Sequence, residues 1–165
     1  MSQRALGPQF HVTTPENAEA IKRGGFQDNP AGGGFGKSVQ NAGPGVYTAS
    51  EHSADHWAGL MSETEGAPDR LETMPVHHDP KARVHVYEDS RDVGTNGVTR
   101  HVSIDEHAQN HPDIAPHYQR QKGELHETAL ARAAKSAGYD ALHINRGSWQ
   151  PDETVWFNAR HLKAK

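Results

Sequence analysis

The 165-residue chain contains no cysteine, which excludes a disulfide framework, thiolate metal sites and a cysteine nucleophile and leaves the redox compartment open. Apolar residues are scarce as well. Only 33% of the chain is hydrophobic and 7% aromatic, with a mean hydropathy of -0.87. A chain of this length buries roughly 70% of the surface its unfolded form exposes, so a core is expected, but a thin one between long polar loops. No apolar run approaches the ~18 residues of a membrane span, and residues 1–10 lack the apolar centre of a secretory signal. There is no excess of charge of one sign: 17 Lys and Arg stand against 21 Asp and Glu, a formal net charge of -4 and a pI near 6.3. That balance weighs against a nucleic-acid-coating domain or a polybasic membrane anchor. A soluble chain acting on a small molecule or a protein surface is expected, either cytoplasmic or delivered into a target cell.

What is present is a succession of short elements. Residues 10–13 alternate as a strand and run into Thr14, Pro15 and Glu16, which read as N-cap, first helical position and first-turn acid. Ala18 and Ile21 supply the stripe of the helix that follows, and Gly24 and Gly25 stop it. Residues 27–45 turn to Gly, Asn, Pro and Gln, a long loop of the kind that is usually a functional lid or disordered. Residues 46–48 read as a strand, Ser50 as the cap of a helix with Ala54, Trp57, Ala58 and Met61 at helical spacing. Residues 63–80 read as loop, 83–87 as a strand with Val84 and Val86 on one face, and 98–104 as another strand. Residues 105–121 hold three histidines and two prolines with no apolar period, and read as irregular. Leu130, Ala133, Ala134 and Ala137 mark a further helix ended by Gly138, with Glu124 and Glu127 as acids facing its dipole. Strands are expected at 141–144 and 154–158, and no internal repeat is found. The order favours one α+β domain over residues 10–165, behind a short tail at 1–9, with largely antiparallel sheets.

Three of these strands each carry one distinctive side chain: His11 in FHVTT, Tyr47 in GPGVYTAS and Glu153 in DETVWF. In that order they resemble the ADP-ribosyltransferase superfamily, in particular its diphtheria-toxin and poly(ADP-ribose) polymerase-like branch, whose signature is a His, a Tyr and a Glu on separate strands. The likeness extends to His11-Val12-Thr13 followed by a helix and Gly25-Phe26, and to Gly43-Pro44-Gly45-Val46-Tyr47-Thr48-Ala49 followed by a helix with Ser53-Ala54. It also takes in Gly138 to Leu142 and the apolar strand after Glu153, so that it spans residues 10–162. The resemblance implies two small sheets forming a cleft for NAD, and a mono-ADP-ribosyltransferase that releases nicotinamide without a metal.

Those residue types suit the chemistry. Cleaving the nicotinamide–ribose bond passes through an oxocarbenium-like cation, which a carboxylate beside the ribose stabilises; the resemblance gives this role to Glu153. It makes Tyr47 one wall of a nicotinamide slot, with Trp57 or His56 as the second ring. It assigns His11 and Thr13 to ribose hydroxyls, the Val12 backbone to the carboxamide, and Gly45 to the nucleotide-binding set. The glycine-rich stretch around Phe35 resembles the donor loop over the dinucleotide, where missing Cβ atoms permit close approach. Trp149 and Gln150 fall in the loop that meets the acceptor, which the sequence leaves open as a protein, a nucleic acid or a small molecule. Val12 stands where the family often has glycine, and Pro151 two residues before Glu153 removes the Glu/Gln-x-Glu motif of arginine-modifying relatives. A monomer is expected.

Other readings stay open. An NAD glycohydrolase would use water as acceptor, and a catalytically silent NAD-binding module would bind without turnover. The 13 histidines raise a metal-hydrolase reading through His77, His78, Asp79, His101, His107, His111 and His117. His107 and His111 have ligand spacing on a helix, but Pro112 and the missing apolar period argue against a helix there, and HExxH is absent. No metal site is therefore expected. Trp156 and Phe157 are assigned to packing on opposite sheet faces.

Overall fold

The computed structural model describes residues 6–27, 42–88, 103–146 and 151–165. Two sheets organise the chain. The three-stranded sheet has the order β1 (Gln9–Thr13), β3 (Glu72–His78), β7 (Leu162–Ala164), and the four-stranded sheet the order β2 (Val46–Thr48), β6 (Glu153–Trp156), β5 (Ala141–Asn145), β4 (Val84–Glu88). All pairs are antiparallel except β4 with β5. That parallel step needs a crossover connection, which here includes α3 (Ile104–Gln109) and α4 (His126–Ser136). The α+β class and the largely antiparallel sheets expected from the sequence are thus present. The sheets meet where Phe10 of β1 exchanges both backbone hydrogen bonds with Ala49, just beyond β2.

Local chemistry sets the helices. Thr14 caps α1 (Pro15–Gly24) by accepting from the Asn17 amide, and Gly25, at φ 82°, ends it. Ser50 caps α2 (Glu51–Ser62) in the same way through Ser53. In α4, Ala129, Leu130, Ala131, Ala133 and Ala134 are all buried, and the four alanines let the helix lie close on the sheet. Glu127 is in its first turn, whereas Glu124 precedes the helix and accepts both guanidinium nitrogens of Arg132.

Four expectations are corrected. Residues 72–78, read as loop, form β3, central in its sheet. Pro75 is tolerated because β7 pairs only with Val76, His77 and His78 and stops short of it, so no ladder donor is missing there. The segment 105–121 is not wholly irregular: α3 is capped by Ser103 and buries Ile104, His107 and Ala108. Those positions follow helical spacing, but one is a histidine, so no apolar period shows. Ile104, expected to end a strand, opens that helix; residues 98–102 lie outside the described residues. In β4 the more deeply buried face is His85 and Tyr87 rather than Val84 and Val86. Both faces of the sheet are covered. Helices α3 and α4 pack on the Tyr87, Leu142, Ile144 and Val155 face, and Trp156, Val46 and Ala141 join Met74, Val76 and Leu162 of the other sheet.

Candidate functional site

The strands bearing His11, Tyr47 and Glu153 are neighbours. Strand β1 touches the end of β2 through the Phe10 and Ala49 bridge, and β2 pairs with β6 in the register Val46 to Trp156, Tyr47 to Val155, Thr48 to Thr154. Directly paired residues share a face, as do residues two apart. Tyr47, Val155 and Glu153 therefore project from one side, the side that carries Leu142 and Ile144 on β5.

Each of the three side chains is held. His11 Nδ1 lies 2.7 Å from the Tyr47 carbonyl oxygen, so the ring donates there and keeps Nε2 as its second nitrogen. Phe26, in the Gly-Phe pair after α1, sets its ring edgewise against His11 at 5.3 Å. Burial holds the His11 imidazole below its ordinary pKa, against the opposing pull of that carbonyl bond. The Tyr47 hydroxyl donates to the Gly43 carbonyl at 2.5 Å. Its phenol is pushed far above its usual range by burial and next by the Glu153 charge.

Glu153 is deeply buried. Its side chain is 4% exposed and forms an ion pair of 3.1 Å with Arg146, itself 6% exposed. Burial raises the Glu153 pKa, and Arg146 opposes that rise with its charge and its hydrogen bond. Arg146 also donates to the Pro151 carbonyl, so the guanidinium ties the end of β5 to the approach to β6. Nothing in the local sequence singles out Arg146; its importance follows only from the pairing of β5 with β6.

Asp152 was missed as well. Its carboxylate accepts from Ser50, its amide donates to Ser53 Oγ, and its carbonyl accepts from Trp57 Nε1 at 2.8 Å. The first two turns of α2 are latched onto the residue before Glu153. Trp57 is thereby half-buried with its indole N–H committed to that carbonyl, and His56 is exposed. Gly45 has a structural requirement at φ 153°: a Cβ there would meet Val155 Cγ2 at 2.5 Å and the Trp156 carbonyl oxygen at 2.7 Å. Val12 is half-buried opposite Thr73, and Thr13 is buried at the strand end opposite Glu72. Phe35, Trp149 and Gln150 lie outside the described residues.

A second polar region lies behind β6. An open cavity of about 230 Å3 is lined by Gln9, Ser50, Glu88, His143, Asn145 and Asp152 among others. His143 donates to or accepts from Thr154 Oγ1 at 2.7 Å, so both belong to the face opposite Glu153. At the far strand of the same sheet, His85 Nε2 lies 2.8 Å from His107 Nε2. Burial chiefly, then the charge of His111, pushes His85 down to about 4 and His107 to about 3, so both rings are neutral.

No protein-family model, curated protein or solved structure matches the chain. The chain has an α+β fold with two mostly antiparallel sheets, and no helix among the described residues is long and apolar enough to cross a membrane.

Proposed function

We propose that the protein is a mono-ADP-ribosyltransferase with the fold of that superfamily, transferring ADP-ribose from NAD to an acceptor. The observation that carries this reading is the adjacency of the three strands, with His11 bonded to the Tyr47 backbone and Tyr47 and Glu153 on one face of paired strands. These side chains are 142 residues apart along the chain at their extremes, and their convergence is what the reaction requires.

In this reading the C1′–N bond of the nicotinamide riboside breaks, its electron pair staying on the ring nitrogen of the departing nicotinamide. The Glu153 carboxylate stabilises the positive charge that develops on the ribose. An acceptor nucleophile then bonds to C1′ and loses its proton. Tyr47, its hydroxyl anchored to Gly43, offers a ring of fixed orientation for the nicotinamide. His11, with Nδ1 engaged, keeps Nε2 for a ribose hydroxyl, beside Thr13. Arg146 favours the ionised form of Glu153 by opposing the rise that burial imposes on its pKa.

The test is nicotinamide release from NAD by purified protein, with and without a cell lysate. Glu153→Gln is expected to lower release by about 10²–10³-fold, the range for loss of one transition-state electrostatic contact. Lysate-dependent labelling of macromolecules supports transfer; Glu153-dependent release without label identifies water as acceptor and an NAD glycohydrolase. The burial of Glu153 against Arg146 favours a second reading, a binding module without turnover. It requires NAD binding that Glu153→Gln leaves unchanged, with no nicotinamide formed. A folded protein that neither binds nor cleaves NAD overturns both.

A further inference from the structure

We infer that His85, His107 and His111 form a binding site for a divalent transition cation of the zinc class, on the helix-covered face of the four-stranded sheet. The inference is independent of the proposed transferase activity, and it departs from the sequence reading, in which no metal site was expected.

The three rings come from two elements that the sequence separates. His85 is on β4, His107 faces it from α3, and His111 stands in the turn just beyond that helix. One nitrogen from each ring lies within 4.8 Å of the other two. The ring centroids are 5.0 Å apart for His85 with either partner and 4.1 Å for His107 with His111. Tetrahedral zinc with Zn–N bonds of about 2.0–2.1 Å sets its nitrogens about 3.3 Å apart. Opening the 2.8 Å contact between His85 and His107 by about half an ångström brings that pair to the ligand spacing, and the His111 nitrogen, within 4.8 Å of both, closes the set by a side-chain adjustment.

Two features distinguish the cluster from an ordinary pair of core histidines. The first is the tautomer of His111. Its Nδ1 lies 2.7 Å from the His107 carbonyl oxygen, which only an Nδ1–H can satisfy. In the neutral ring the lone pair is then on Nε2, and a backbone-anchored Nδ1–H is the usual support of a ligating imidazole. The second is the short contact itself. Two buried neutral imidazoles share one proton between His85 Nε2 and His107 Nε2, at 4% and 8% residue exposure. A cation would replace that proton once the donor ring moves its hydrogen to Nδ1, without net proton release.

The surroundings complete the site. Tyr139 packs edgewise on His85 and Tyr87 on His107, both at 4.9 Å. The Tyr139 hydroxyl donates to Asp113, whose carboxylate acts electrostatically on His85 and is two residues from His111. Asp113 thus supplies negative charge near the cluster. Three histidines leave a fourth tetrahedral position for water, and imidazole ligands suit zinc, copper and nickel rather than calcium or magnesium. A bound ion would fasten the turn after α3 to β4.

The experiment is Zn²⁺ titration of the chelator-treated full-length chain, followed by calorimetry and by competition with a chromophoric chelator. A single saturable site per chain is expected. His111→Gln should weaken it by at least about tenfold, the smaller end of what even outer partners of a metal site contribute. His117→Gln, an exposed histidine outside the cluster, should leave affinity unchanged. Because a His85 variant risks unfolding, the wild type is also read directly: histidine ¹⁵N spectra should show Zn²⁺ moving three ring nitrogens together, and Co²⁺ should give visible bands of a nitrogen-ligated ion. Absence of saturable uptake, equal affinity in His111→Gln, or spectral shifts confined to exposed histidines overturns the site.

Discussion

The four-stranded sheet carries two polar sites on one face, and they solve burial in opposite ways. Around β2 and β6 each buried polar group meets a partner of complementary chemistry: the Glu153 carboxylate meets the Arg146 guanidinium, and the His11 ring meets a backbone carbonyl. At β4 the rings of His85, His107 and His111 meet one another. Complementary pairs are satisfied by the chain itself, and their strength resists rearrangement. Like groups converge lone pairs that the chain alone does not fully use, which is the chemistry of a site that takes in an ion. The first site is stabilised by what it already contains, the second by what it would bind.

The largest effect should come from breaking the pair in the first site. Arg146→Ala leaves Glu153 buried with no counter-charge, a change that typically costs about 3–5 kcal/mol. Urea unfolding should show the midpoint falling with an unchanged slope. The loss should shrink toward acid pH, because a protonated Glu153 has less need of the guanidinium. Zn²⁺ affinity of the folded fraction should be unaltered, since Arg146 follows the last residue of β5 whereas His85 pairs with Leu142 near the start of that strand. A fall below about 1 kcal/mol, the value of a surface pair, would show that the two sites do not differ in the way argued.

A smaller loss is expected from Gly45→Ala. The added methyl would meet the Val155 side chain and the Trp156 backbone, and the backbone cannot turn aside. Overpacking of this kind costs about 1–3 kcal/mol, and here it would fall on the pairing of β2 with β6. Thermal unfolding would read the loss of stability. Tyrosine fluorescence and nicotinamide release should change together, because Tyr47 and Glu153 are both set by that register. The cluster at β4 should again be spared.

How far these two sites were legible in the sequence also differs. Helix α1 was readable because Thr14, Pro15 and Gly25 each act locally, and His11, Tyr47 and Glu153 stood out because glycines and short apolar strands frame them. Strand β3 was hidden by Pro75, whose place depends on where a distant β7 ends. Helix α3 was hidden by His107, a polar letter at a buried helical position. Arg146 and Asp152 gave no signal, for their partners are brought by the β5–β6 pairing and by α2. The histidine cluster needed the packing of α3 over β4, a contact across the segment 89–102 that spacing along the chain does not encode. Local chemistry is written where it acts; tertiary partners are not.

The mildest test uses protons to sharpen the comparison. Burial holds His11 below its ordinary pKa, so the folded state keeps it neutral while the unfolded chain titrates near 6.5. Below that pH the unfolded state binds more protons, and stability rises with pH through the window. The contribution is therefore fully present above about 6.5 and is lost as pH falls toward the depressed folded value. His85 and His107, pushed down to about 4 and about 3, act in the same direction. His11→Gln should flatten only part of the stability profile between neutral pH and pH 5, measured in chelator so that no ion occupies the cluster. The slope that survives belongs to the β4 cluster and to His143, which burial also depresses. A profile in His11→Gln as steep as that of the wild type would mean that the ring beside Tyr47 is as free to charge in the folded protein as in the unfolded chain, and that the first site is held by Glu153 and Arg146 alone.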